Sequence, residues 1–495
     1  MRELYRKLKD SDDRGAALML VGSSLLLLMG MAAFGTDLAW FYLNSARIQR
    51  AADAAALGGV VYLPDDPDEA YAAAIRVATQ NGYTDAVDGA QVLPDRIRTH
   101  PTQLKVTITD RVDTFFLKAL GFDGTTITQT ATADYAPPLR LGNPGNQFGN
   151  SCDPKTFTNC GPNFWANIMG KYMAAEMGDA YATWCRGKWD DPPCEGPHAN
   201  ELRRADGYLY GIESSSEFTL QFIDIVFRNM SGWWATSDDH RTGDGGCDSW
   251  GESREPDCGP TMYVALYAPD PTPMSIDTAP ICEAVIPPEQ QLSDTQAYVW
   301  ETPDSQGCWT QQGPGIWVVQ VRFLDPGPQV DRSGINRYSV RSTTGQLYAI
   351  RDFSIFNNNA FSITEFYLAE VPEYYAGKEL VIELFDAGES VRPGRLEVVG
   401  PDGTVWDDST CVISMRYRVH FQWSEVDTKR PGQACAERVT PREYNDAWLQ
   451  FSIELPPNYT CSTCWWKIKY AYSSYVDDTT TWQAYIAGNP IHLVP

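Results

Sequence analysis

The sequence predicts a multidomain protein: an N-terminal transmembrane helix with a small α+β domain, then a mainly β region forming two jelly-roll-like β-sandwiches. Three observations predict it. One uncharged apolar stretch, Gly15 to Thr36, stands near the start. All 12 cysteines and every one of the 16 tryptophans except Trp40 lie beyond residue 150. From about residue 205 onward, apolar residues come in short runs bounded by Pro, Gly, Asp or Asn, which is the pattern of strands.

Charge divides the chain at the same place. Residues 1–150 carry 14 basic and 17 acidic side chains, whereas 151–495 carry 25 and 47, so nearly all of the net −25 belongs to the second part. A polyanion has no surplus cations to exchange for the counterions of a phosphate backbone, which excludes nucleic acid as a partner. With 43% hydrophobic and 12% aromatic residues the chain is not of the disordered kind. Its 495 residues allow about three domains at roughly 150 residues each.

Taken in order, residues 1–14 read as a cytoplasmic tail and 15–36 as a transmembrane anchor. As a helix the anchor reaches about 33 Å, enough for a hydrocarbon core of about 30 Å. Arg2, Arg6, Lys7, Lys9 and Arg14 precede it, which predicts a cytoplasmic N-terminus and an extracytoplasmic remainder in a single-pass cell-membrane protein. A cleaved signal peptide is the alternative, with Ala33-Phe34-Gly35 as a poor cleavage site. The apolar run is too long for a signal core, and a helical pattern of Leu38, Phe41, Tyr42, Ser45, Ile48 and Ala52 continues to Gly58-Gly59. Residues 37–136 then form the α+β domain: a helix at 68–81 closed by Asn81-Gly82, a strand alternating Leu104, Val106 and Ile108 with polar residues, and a Thr-rich strand at 125–134.

Arg14-Gly15-Ala16, the apolar span, Gly35-Thr36-Asp37, Tyr42, Gln49 and the run Ala51-Ala52-Asp53-Ala54-Ala55-Ala56-Leu57-Gly58-Gly59, with Thr114-Phe115-Phe116-Leu117 further on, resemble the N-terminal domain of the Flp pilus-assembly TadE/TadG-like (tight adherence) family. The resemblance covers residues 14–135. It implies a membrane-anchored member of an envelope apparatus that builds adhesive pili, with other pilus-machinery proteins as partners. Processed prepilins carry Glu five residues after a cleavage-site Gly, whereas here the fifth residue after Gly15 is Leu20. That places the chain nearer the unprocessed TadG-like members, as a stationary anchor. Ala51, Ala52, Ala55, Gly58 and Gly59 would let another helix approach closely, so they are candidates for docking a partner helix. Packing of the same face on the protein's own 104–134 strands is the competing reading.

Residues 137–149, rich in Pro and Gly, read as a linker, and 150–204 as a disulfide-pinned lead-in with a short helix near 163–178. The sandwiches are expected at 205–326 and 329–495, with the second repeating the strand pattern of the first. In that repeat Gly207–Ile212 corresponds to Asn336–Val340. An even cysteine count outside a membrane suggests local disulfides: Cys152–Cys160, Cys185–Cys194, Cys247–Cys258, Cys282–Cys308, Cys411–Cys435 and Cys461–Cys464. A strand-like run, Trp465–Tyr472, follows Cys461-Ser-Thr-Cys464, so this pair reads as structural and not as a redox centre at a helix N-terminus. The segment Tyr375–Glu389 loosely resembles galactose-binding-like and pre-peptidase C-terminal jelly-rolls.

No catalytic motif is present, and His100, His198, His240, His420 and His492 show no paired spacing, so the chain reads as a non-enzyme with no required cofactor. Calcium is the one candidate metal, through Asp238, Asp239, Asp244 and Asp248 or through Asp386 and Glu389. The adjacent indoles Trp233-Trp234 and Trp465-Trp466 offer a surface for a glycan or protein ligand, or else core packing. Two functions follow. One is a non-enzymatic membrane-anchored component of Flp/Tad pilus assembly with an exported β-sandwich interaction region. The alternative is a membrane-anchored surface adhesin or carbohydrate-binding protein not required for assembly. N-terminal sequencing of membrane-extracted protein is expected to find the apolar span retained; a chain beginning at Thr36 would refute the anchor.

Overall fold

The computed structural model describes residues 2–64, 66–98, 100–152, 160–161, 164–169, 178–182, 202–203, 206–225, 228–229, 261–269, 274–287, 289–290, 299–324, 335–357, 364–387, 393–406, 411–419, 422–426, 434–439, 444, 447–471 and 478–494. The chain divides into two compact units: Met1–Pro137 together with Asn489–Pro495, and Pro138–Gly488.

In the first unit, helix α1 (Arg2–Val60) serves two environments. Leu18, Leu20, Leu25, Leu26, Leu27, Leu28, Met31 and Phe34 are each more than half exposed. By length and composition this segment suits a membrane span. From Ile48 onward the same helix buries Ile48, Ala51, Ala52, Ala55, Ala56 and Val60 in a core with α2 (Pro67–Gln80) and a sheet. Helix α2 starts where the Asp66 carboxylate accepts the Glu69 N–H at 3.0 Å and Pro67 occupies the first turn, and it buries Ala70, Ala73, Ala74 and Ala78.

The sheet is antiparallel: β1 (Gln91–Arg96), β2 (Gln103–Asp113), β3 (Gly124–Tyr135) and the C-terminal strand Ile491–Val494, in that order. β2 turns Leu104, Val106 and Ile108 toward the helices. On the other face Thr107 and Thr109 meet Thr130 and Thr128 across the ladder at 3.1 and 3.0 Å. Pro94 lies on the edge strand, where a missing donor is tolerated. The far end of the chain completes this domain: Ile491 pairs with Tyr135 and Val494 with Thr132, and the Ala136 N–H reaches Pro490 O at 2.8 Å.

The second unit holds two large antiparallel sheets. The strands of these two sheets in chain order are β4 (Arg140–Leu141), β5 (Gln147–Phe148), β6 (Trp165–Met169), β7 (Tyr208–Ser214), β8 (Glu217–Ile223), β9 (Met262–Tyr267), β10 (Cys282–Ile286), β11 (Thr310–Gln312), β12 (Gly315–Phe323) and β13 (Ile335–Ser342). They continue with β14 (Gln346–Ile350), β15 (Asp352–Asn357), β16 (Thr364–Glu370), β17 (Glu379–Phe385), β18 (Gly394–Val399), β19 (Val412–Val419), β20 (Gln422–Val426), β21 (Ala436–Val439), β22 (Ala447–Glu454), β23 (Trp465–Ala471) and β24 (Asp478–Ile486). Among the described residues one sheet runs β10-β9-β12-β7-β14-β4-β16-β23-β18-β21. The other runs β11-β8-β13-β6-β15-β24-β17-β22-β19-β20, with β5 also on β13.

Each order is a palindrome in which β4 to β13 correspond to β14 to β24, and the hairpin β19–β20 is an addition in the second half. At the centre of the palindrome, Ala166 of β6 pairs with Ile355 of β15, and β4 pairs with β14. β5 and β6 together match the single strand β15, since both lie along β13, and the disulfide Cys152–Cys160 falls between them in the sequence. The leading strands are exchanged: β14 lies against β7 of the first half, and β4 against β16 of the second. Arg140 on β4 ties the seam. It reaches Glu213 of β7 at 2.7 Å and Glu370 of β16 at 3.6 Å, with its guanidinium 5.3 Å from the Tyr348 ring centre.

Aromatic side chains fill the space between the sheets. Phe148 and Phe353, in corresponding register positions, meet edge-on at 5.2 Å, and Phe148 also contacts Tyr210 and Phe164. Phe366 and Tyr470 of one sheet contact Trp482 of the other. The Tyr210 and Tyr338 hydroxyls hydrogen-bond at 2.9 Å, and burial raises both pKa values.

Several expectations are corrected here. The strand Ile335–Ser342, expected to open a second sandwich, pairs with β8 and β6 of the first half, so the seam lies at 343–345 and the two halves share both sheets. In the repeat β7 corresponds to β16, and not to β13, whose counterpart is β24. The stretch 137–149 is no free linker, because Leu139, Leu141 and Phe148 are buried. Within the stretch 163–178 expected to hold a short helix, Trp165–Met169 form a strand, all five residues buried as in a central strand covered on both faces, and 170–177 lie outside the described residues.

Deleting residues 489–495 is expected to lower the melting transition of the N-terminal unit by at least roughly 1 kcal/mol, or about 4–8 °C, through lost edge-strand hydrogen bonds and lost contacts of Ile491. The transition of the 138–488 unit should stay in place. Calorimetry of full and truncated chains checks this; coincident transitions would mean that the strand contributes nothing.

Candidate functional site

The site builds from the position where α1 changes environment. Asp37 follows the apolar span directly, and its side chain is fully buried. Its carboxylate accepts the backbone N–H groups of three consecutive residues: Phe115 to Oδ1 at 2.8 Å, Phe116 to Oδ2 at 3.0 Å and Oδ1 at 3.3 Å, and Leu117 to Oδ2 at 2.7 Å. Successive amides turned inward form an anion cradle, and here the anion comes from the chain itself. Burial by itself raises the carboxyl pKa, but the donors Leu117, Phe115 and Phe116 outweigh it and hold the group below its ordinary value.

The clamped segment is the tip of the β2–β3 hairpin. Within it Leu117–Leu120 make a short 3₁₀ turn ended by Gly121 in the left-handed region (φ 92°). The Thr114 N–H donates to Asp123 O at 3.2 Å and the Thr114 hydroxyl to Phe122 O, closing the loop at its base. Trp40 packs on Phe115 with ring centres 5.1 Å apart. Further along α1 the Gln129 amide donates to Ser45 Oγ at 2.7 Å, and the Gln49 amide to Thr130 O at 3.2 Å and Asp53 Oδ1 at 2.7 Å.

The small-residue face proposed for helix docking is spent inside its own domain. Ala51, Ala52 and Ala55 are buried against the sheet and α2. A Cβ on Gly58 would lie 2.7 Å from Val77 Cγ2, and one on Gly59 would lie 2.6 Å from both Ala70 O and Leu104 Cδ2. Close approach is used, as the residue types imply, but the partner is α2 and β2 of the same chain.

Four of the six expected bridges fall on described residues and are formed: Cys152–Cys160, Cys282–Cys308, Cys411–Cys435 and Cys461–Cys464. Cys185, Cys194, Cys247 and Cys258 lie outside the described residues, as do the calcium candidates Asp238, Asp239, Asp244, Asp248 and Glu389 and the pair Trp233-Trp234. Asp386 is buried, with its backbone N–H on Ala447 O at 2.9 Å. No cluster of three potential metal ligands occurs among the described residues. Trp465 and Trp466 are both buried, the latter donating from its indole N–H to Tyr459 Oη at 3.0 Å and packing on Trp406, so this pair belongs to the core and offers no stacking surface.

In the sequence Asp37 and Thr114-Phe115-Phe116-Leu117 stand out only as parts of a resemblance. A carboxylate placed right after an apolar span was the available signal; its partner 78 residues away was not.

Residues 15–74 match a family model described as putative Flp pilus-assembly TadE/G-like, which takes in the apolar half of α1, Asp37, the small-residue face and the first part of α2. No curated protein and no solved structure matches the chain.

Because the folded-state pKa of Asp37 is lowered, the stabilisation from the clamp is complete above the unfolded carboxylate value of about 4 and is lost as pH falls through the lower folded value. Asp37→Leu, close in volume but without acceptors, should speed amide hydrogen exchange at Phe115, Phe116 and Leu117 at neutral pH and leave β2 unaffected. Hydrogen-exchange mass spectrometry reads the difference; unchanged protection at those amides would refute the clamp.

Proposed function

We propose that the chain is a non-enzymatic, membrane-anchored component of Flp/Tad pilus assembly. The observation that carries this reading is the TadE/G-like match over residues 15–74, which coincides with the exposed apolar segment and the clamped junction that follows it. Its partners are other proteins of the pilus machinery.

The five cations Arg2, Arg6, Lys7, Lys9 and Arg14 ahead of the span support a cytoplasmic N-terminus. The disulfides of the 138–488 unit support an oxidising, extracytoplasmic compartment for it. That unit is the interaction region, acidic and presented outside the membrane. Burial of Trp465 and Trp466 removes one argument for the adhesin alternative.

Deletion of the gene should abolish or sharply reduce surface pili counted by electron microscopy, and expression of the full chain should restore them. Normal piliation in the deletion strain, with loss of surface attachment alone, would favour the adhesin reading and overturn this one.

A further inference from the structure

The β2–β3 hairpin runs down α1 toward the membrane span. Leu104 lies at Gly59, Thr130 at Gln49, Gln129 at Ser45 and Phe115–Leu117 at Asp37, so contacts step along the helix in one direction. The lengths agree. From Gly59 to Asp37 the helix descends about 33 Å at 1.5 Å per residue, and β2 from Leu104 to its end covers nearly the same at about 3.4 Å per residue. The hairpin tip therefore sits at the level where the apolar span ends.

That tip is apolar and exposed. Phe115 is 60% exposed, Phe116 52%, Leu120 78% and Phe122 69%, four large apolar side chains within eight residues. A rigid loop in water gains nothing from this, and exposed apolar groups concentrated in one place mark a binding surface. The loop is not loose: the Asp37 clamp, the Thr114–Asp123 closure and the Trp40–Phe115 contact hold it. On α1 near this level, Phe34, Leu38 and Tyr42 are also exposed. Lys118 stands on the same turn, and aromatic rings with a nearby cation suit the boundary between headgroups and acyl chains.

We propose that the Thr114–Asp123 loop is a membrane-seated wedge, in which Phe115, Phe116, Leu120 and Phe122 enter the interfacial layer of the leaflet from which α1 emerges. This rests on the reading of Gly15–Thr36 as a membrane span. The domain would then hold the bilayer at two points, the helix and the wedge, with Asp37 bracing one against the other. A helix alone leaves rotation about its axis free; the second point fixes which face of the domain looks along the membrane.

The test uses the full-length protein reconstituted in vesicles of phosphatidylethanolamine and phosphatidylglycerol. Photoreactive benzoylphenylalanine replaces Phe116, Leu120 or Phe122 one at a time, all exposed positions, with Leu26 in the span and the exposed strand residue Lys105 as references. After irradiation, mass spectrometry should find lipid adducts at the three loop positions at levels approaching Leu26 and several-fold above Lys105. Lipid adducts at Leu26 with none at the loop, or loop crosslinks to a second copy of the chain instead of lipid, would overturn the wedge and leave the anchor standing. Absence of lipid adducts at Leu26 would overturn the span, and the wedge with it.

Discussion

Close approach of α1 to α2 and the sheet is the contact on which the N-terminal unit depends. A helix that leaves a membrane has no domain to hold unless one of its faces can be buried, and Ala51, Ala52, Ala55, Gly58 and Gly59 keep that face almost free of side chain. With the backbones this near, Ala70 of α2 and Leu104 of β2 both come up against Gly59. The hairpin is thereby fixed in height along the helix, and Asp37 receives the loop amides only because that height is right. Packing at the C-terminal end of the helix thus sets electrostatics near its middle.

The second unit solves a different problem. A half-repeat of β4 to β13, or β14 to β24, would leave open sheet edges where its leading strand is missing, and unpaired edges invite association. Exchange of the leading strands covers both edges at once and makes each half a template for the other. Arg140 answers carboxylates from both halves, and Phe148 meets its counterpart Phe353 at the centre, so the seam is as well packed as any core. What looks in chain order like two successive sandwiches is, in pairing, one interlocked body.

Local pattern made much of this legible. Helix α2, the alternation of β2 and the strand that begins at Trp465 are written in nearest-neighbour chemistry, and they appear where periodicity and caps put them. Partner choice is not local. Nothing in Ile491–Val494 says that it will pair with β3, nor in Arg140–Leu141 that it will lie beside Thr364–Glu370. Trp165–Met169 meets a related limit: a strand covered on both faces loses its alternation and cannot be told from a buried helix by periodicity. The Asp37 clamp needed the hairpin register before its donors could be identified, and the small-residue face showed that some backbone would come close without showing whose.

Return of the C-terminal strand to β3 makes the large unit an insertion within the small one, entered after Pro137 and left before Asn489. Residues of the small unit thus flank the large one in the sequence, and the outer edge of β3 stays open during synthesis until the whole of 138–488 has been made. Closure of the small sheet is therefore the last pairing the chain can form, and it requires that the inserted unit bring its two ends back together.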